Sequence, residues 1–168
     1  MTLTARPASP DDAAILAQIY NEGIEDRVGT FETRLRSEDE VRAWFDGVHP
    51  IVVVEDCSGG HGVVAFASTS TYRPRECYAG IAEFSVYVAR PWRGRGAGRV
   101  AMQALIAACG PAGIWKLVSR VFVENAASRR LLTAVGFREV GTYRNHAKLD
   151  GRWRDVVIVE RLIPENVR

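Results

Sequence analysis

The chain has 168 residues, 47% of them hydrophobic and 25% charged, with a formal net charge of +2. That composition is globular, and a chain of this length buries roughly 70% of its unfolded surface without a disulfide or metal staple. The charge is too small to point to a nucleic-acid or membrane partner, and the longest mostly apolar helical run, Val100 to Cys109, is about half the length of a bilayer span.

The chain opens with a short β-like run, Leu3 to Arg6, punctuated by Ser9-Pro10-Asp11-Asp12. A helix follows, with Ala13, Ile15, Leu16, Ile19 and Tyr20 at helical spacing. Ser37 and Glu40 form a capping box for a second helix, whose apolar stripe would be Val41, Trp44 and Phe45. Between them lies an irregular stretch, Gly23 to Arg36, that holds Phe31. Ile51 to Val54 and Val63 to Tyr72 read as strands joined by a turn at Gly59-Gly60. Ile81 to Val88 and Trp115 to Val123 are further strands, and Ala97–Cys109 and Ala126–Val135 are helices. Phe137 to His146 and Trp153 to Leu162 flank Asp150-Gly151, a strong hairpin signal. Trp44, Trp115 and Trp153 sit in periodic segments and are expected to pack. The order β-α-α-β-β-β-α-β-α-β-β predicts an α+β fold of one domain with a mixed sheet, not a doubly wound one.

Cys57, Cys77 and Cys109 are odd in number and form no Cys-x-x-Cys, and the first residues carry no apolar signal core. A cytoplasmic protein is expected on those grounds. His49, His61 and His146 are widely spaced, so no metal site is expected.

The most informative segment is Arg90-Pro91-Trp92-Arg93-Gly94-Arg95-Gly96-Ala97-Gly98-Arg99, between a strand and a helix. Glycines there free the backbone to turn tightly, and a helix N-terminus adds partial positive charge, which together suit a phosphate or pyrophosphate. A Walker A loop is excluded because no Gly-Lys-Ser/Thr is present, and the dinucleotide fingerprint fails at Arg99.

Arg93-x-x-Gly96-x-Gly98 after the strand Glu83 to Val88 resembles the acyl-CoA signature of the GNAT superfamily of N-acetyltransferases. Asn125-Ala126-Ala127-Ser128 through Gly136-Phe137 resembles that superfamily's second signature. Four further segments resemble one branch, the phosphinothricin, arsinothricin and methionine sulfoximine acetyltransferases. They are Thr30-Phe31-Glu32-Thr33, Tyr72-Arg73-Pro74-Arg75, Ala82 to Val88, and Gly151-Arg152-Trp153-Arg154-Asp155-Val156.

The resemblance implies a GNAT fold of about seven strands and four helices, acetyl-CoA as co-substrate, a small toxic amino acid as acceptor, and a homodimer. Acetyl transfer to an ammonium group needs a base. Glu83, a carboxylate in an otherwise apolar strand, is the candidate on chemistry and on resemblance alike, and desolvation there would make it a better base. Backbone groups of Val86 and Val88 are placed to pair with an amide-rich pantetheine arm and to hold the thioester oxygen. The cofactor set is completed by Tyr87, by Arg93, Gly94, Arg95, Gly96, Ala97 and Gly98 at the pyrophosphate, and by Asn125, which reads equally as a helix cap. Arg73 and Arg75 would bind the substrate's anionic groups, with Ser85 beside it and Phe31 covering it.

One departure stands out: Leu132 occupies the position where many superfamily members carry a tyrosine acid, so the general acid stays unassigned between Tyr143 and water. Two other readings remain, a non-catalytic acyl-CoA-binding regulatory module and a GNAT enzyme for another amine, such as a polyamine or protein N-terminus. A nucleic-acid role for the arginine cluster lacks interleaved aromatics beyond Trp92.

Overall fold

A computed structural model describes all residues, Met1–Arg168. Seven strands form one mixed sheet: β1 (Leu3–Pro7), β2 (Ile51–Asp56), β3 (Gly62–Thr71), β4 (Ile81–Val88), β5 (Lys116–Phe122), β6 (Arg138–Leu149) and β7 (Arg152–Leu162). Their order across the sheet is β1-β2-β3-β4-β5-β7-β6. Four helices cover it: α1 (Ala13–Glu25), α2 (Glu38–Arg42), α3 (Ala97–Cys109) and α4 (Ala126–Ala134). The expected α+β order is therefore present in full.

The two faces are packed unequally. A cluster of 21 buried residues lies on the α3 and α4 side, and one of 8 lies under α1 and α2. Strand β4 alternates between them, as period-two side chains must. Ala82 and Phe84 belong to the larger cluster, with Val86 and Val88 against it, while Tyr87 packs against the smaller one. Helix α1 comes close to β4 because residue 23 is glycine: a Cβ there would lie 2.7 Å from the Tyr87 ring.

Three local expectations are corrected. The capping box at Ser37 and Glu40 is formed, but α2 ends at Arg42, so Trp44 and Phe45 pack against the α1 cluster from the turn beyond it. Trp153 is 56% exposed and carries Lys148 Nζ 4.9 Å from its ring centroid; its strand is periodic, but it stands ahead of the buried stretch that begins at Val156. Strand β6 runs to Leu149 rather than His146, with register shifts along its pairing with β7, because the Asp150-Gly151 turn holds the pair together to its end.

All strand pairs are antiparallel except β4 with β5. That parallel pairing spans only Ile81–Glu83 with Lys116–Val118. Beyond it, β5 follows β7 along its whole length while β4 stays with β3 up to Val88. The two central strands thus part company just after Glu83.

Candidate active site

The fork between β4 and β5 is the organising feature. Main-chain groups along a strand point alternately to its two neighbours. Ala89 N–H donates to Val64 O on the β3 side at 2.8 Å. On the other side, Phe84 O accepts from Ser119 Oγ at 3.0 Å, and Val88 O accepts from Arg93 Nε at 3.3 Å. Phe84, Val86 and Val88 therefore direct their main-chain groups into the fork, where no strand pairs with them. Ser119 bridges its narrow end.

At the C-terminal end of β4 the chain makes the glycine-rich turn. Gly94 and Gly96 have φ of +75° and +88°, conformations L side chains rarely adopt, and a Cβ at either would meet nothing within 4 Å. Gly96 caps α3, so the first N–H groups of that helix, from Ala97 on, face the open turn. Gly98 has a different task, since a Cβ there would lie 2.8 Å from Leu131 Cδ1 where α3 meets α4.

The four arginines of this segment divide into two pairs. Arg90 and Arg93 are held by the acidic end of α1: Arg90 donates to Asp26 through Nε and Nη2, each at 3.0 Å, and Arg93 Nη1 donates to Asp26 at 2.6 Å. These donors, Arg90 first, hold the Asp26 carboxyl at about 2. The Arg93 side chain is thus already paired with Asp26, although it lies at the surface. Arg95 stacks on Trp92, 5.2 Å from its centroid, and Arg99 is exposed.

On the α1 face a cleft of about 440 Å³ is lined by Tyr20, Phe31, Glu83, Ser85, Arg120 and His146, among others. Glu83 is not the enclosed carboxylate expected. It is 34% exposed, and Arg120 Nη2 donates to its Oε1 at 3.1 Å. Phe31 reaches the cleft wall edge-on to Phe122, with centroids 4.9 Å apart. Its loop is pinned by Asn125 Nδ2 donating to Val28 O at 3.1 Å and by Arg27 Nε donating to Asp150 at 3.0 Å. The other end of Asn125 accepts from Ser128 N–H at 3.1 Å, so its amide serves as helix cap and loop anchor together.

Tyr87 fills the adjoining wall, packed against Phe66 and Tyr20; burial pushes its phenol, and more mildly that of Tyr20, above the ordinary range. Leu132 is buried beside the fork, and Tyr143 is exposed on β6 with its ring 5.1 Å from that of His146.

Glu83, Ser85, Tyr87 and Phe31 are thus brought together, with Val86, Val88 and the glycine turn lying along one side. Arg73 and Arg75 are not: both are exposed on the loop between β3 and β4, outside the cleft lining, and Arg73 lies over the Tyr72 ring at 5.1 Å. The sequence does not single out Arg120, and it raises His146 only as a metal ligand. The alternation of β5 puts Arg120 on the face of Phe122, but only the pairing with β4 sets it beside Glu83.

The fold is that of the acyl-CoA N-acyltransferases, a mixed sheet forked at its one parallel pair. Residues 16–137 match the Acetyltransferase (GNAT) family. The phosphinothricin N-acetyltransferase of Streptomyces coelicolor is 32% identical over 161 residues, 93% of this chain and 94% of its own. The L-methionine sulfoximine/L-methionine sulfone acetyltransferase of Pseudomonas paraeruginosa is 30% identical over 164 residues, 95% of this chain and 94% of its own. The crystal structure of a GNAT superfamily phosphinothricin acetyltransferase from Sinorhizobium meliloti in complex with acetyl-CoA superposes with a TM-score of 0.87 at 29% identity, covering 96% of this chain and 89% of that one. The chain belongs to the acetyltransferase (GNAT) family and is an N-acetyltransferase.

Proposed function

We propose that this protein transfers the acetyl group of acetyl-CoA to the α-amino group of a small glutamate- or methionine-like amino acid, of the phosphinothricin, methionine sulfoximine or arsinothricin type. The observation that carries the reading is the position of Glu83: its carboxylate lines the cleft at the point where β4 leaves β5, one step from the main-chain groups that face the fork.

Acetyl-CoA fits the residues present. The fork edge at Val86 and Val88 offers peptide donors and acceptors to an amide-bearing arm, in the manner of an added strand. The open turn from Gly94 to Gly98 and the N-terminus of α3 offer N–H groups to a pyrophosphate, with Arg95 and Arg99 adding charge nearby. Asn125 holds the α4 side of the fork in place through its cap. When bound, acetyl-CoA supplies an acetyl thioester whose thiol, with a pKa of roughly 8.5, leaves readily without a dedicated acid.

Glu83 accepts a proton from the substrate ammonium, directly or through a water, and frees the nitrogen lone pair for the acetyl carbon. The Val86 or Val88 N–H stabilises the charge that develops on the acyl oxygen. Tyr20 and Tyr87 wall the acceptor side together with Ser85, and Phe31 covers it. Arg73 and Arg75 stay outside this core.

We further infer a homodimer, for which the edge strand β6 with exposed Val140 and Tyr143 offers apolar contact residues, and a cytoplasmic location, which suits three free thiols. The single continuous sheet supports a one-domain organisation.

The test is a panel of phosphinothricin, arsinothricin, methionine sulfoximine and methionine sulfone with acetyl-CoA, following release of free thiol. Turnover of at least one above background hydrolysis is expected. Turnover of spermidine or a peptide amine alone would move the protein to another branch, and acetyl-CoA binding without any transfer would make it a regulatory module.

A further inference from the structure

Arg120 is the only arginine or lysine lining the cleft, and it is paired with the proposed base. Neighbouring cations are committed elsewhere. Arg36 donates to Glu32 at 2.7 Å, and Arg154 lies over the face of Phe122 at 4.3 Å and reaches Glu124. His146 shares the cleft wall, its ring against Tyr143. The Glu83–Arg120 pair is half-open to solvent, with side chains 34% and 47% exposed, and a pair of that kind contributes little to the fold. Its geometry is nonetheless fixed, since both residues stand on strands at the fork.

An α-amino acid carries an ammonium and a carboxylate on one carbon, the complement of a carboxylate beside a guanidinium. We infer that Arg120 is the receptor for the substrate's α-carboxylate and sets the specificity of the site. This rests on the amino-acid acetyltransferase reading above. An entering α-amino acid exchanges the internal pair for two outward ones, its ammonium on Glu83 and its carboxylate on Arg120. The guanidinium fork fixes the acceptor in register, so the nitrogen to be acetylated lies on the base.

The same residue discriminates against other amines. A polyamine has no anion to offer Arg120, leaves it on Glu83 and brings further positive charge toward it, so selection has a repulsive part as well as an attractive one.

The test compares native protein with Arg120→Met in steady-state kinetics, using methionine sulfone and its primary amide, which keeps the side chain and amine but removes the negative charge. Native protein is expected to prefer the free acid. Arg120→Met is expected to reduce the acid-over-amide ratio of kcat/KM by roughly 10- to 100-fold, mainly through KM, as loss of one charge-assisted pair implies. Arg120→Lys is expected to recover part of that ratio, because an ammonium keeps the charge without the fork. Thermal unfolding establishes that each variant is folded; should the methionine variant not fold, the lysine variant carries the test, with a smaller fall in the same ratio. An unchanged ratio would overturn the assignment of Arg120 and leave the acetyltransferase reading intact. Native protein that acetylates no amino acid would overturn both.

Discussion

The two ends of β4 have the same backbone and opposite duties. At Ala82 and Glu83 the strand has a neighbour on each side, and its peptide groups are used by the sheet. From Phe84 to Val88 it keeps β3 alone, and every second residue turns its peptide group toward the fork. Closed at one end, a strand is scaffold; open at the other, it becomes a binding edge. Glu83 stands at the transition, where a charged side chain is held on a rigid element yet reaches a solvent-filled cleft.

That contrast can be broken at several points. The largest expected effect is at the transition itself: Glu83→Gln should lower kcat by roughly 10²- to 10⁴-fold, the range of a lost general base, while acetyl-CoA binding measured by calorimetry persists. Loss of binding and turnover together would instead make Glu83 a structural residue. At the open end, Gly96→Val forces a β-branched residue into φ of +88°. It should cost about 1–2 kcal/mol of stability in thermal or denaturant unfolding and weaken acetyl-CoA binding roughly tenfold or more, with the KM of the acceptor less affected.

Ser119→Ala removes the hydroxyl that spans the narrow end of the fork to Phe84 O. A loss of about 1 kcal/mol is expected in urea unfolding, with faster amide exchange along β4 and β5 than in β2 and β3. The smallest effect concerns the brace behind the glycine turn. Asp26 has its folded pKa lowered to about 2 from an ordinary 3.8, so its contribution to stability is present above the ordinary value and disappears as pH falls through about 2. The difference in melting temperature between native protein and Asp26→Asn should therefore be seen near neutrality and vanish in strong acid. A difference that persists unchanged below about pH 2 would show that Arg90 and Arg93 are not held through that carboxylate's charge.

Much of this was legible before any coordinates. Apolar periodicity and turn residues suffice for the element order, because local spacing decides which face of a helix or strand can be buried. The Arg93 to Gly98 turn announces itself because positive φ and an open helix start require glycine. Trp153 misleads for a plain reason: it shares its face of β7 with buried Val157 and Val159, but it stands near the start of the strand, and period alone does not say how far along a strand the covering core extends. The segment ending at Phe45 failed as helix because an apolar residue at the right spacing packs equally well from a turn.

The chemistry of the turn, the carboxylate in β4 and the cap at Asn125 were thus determined by residue type at short range, where sequence neighbours are spatial neighbours. The pairing of Glu83 with Arg120, the capture of Arg93 by Asp26 and the absence of Arg73 and Arg75 from the cleft lining were decided only by the folded chain. Each joins or separates groups on different strands, helices and loops. Which charge meets which is then set by strand order and register, and these depend on how the whole sheet packs.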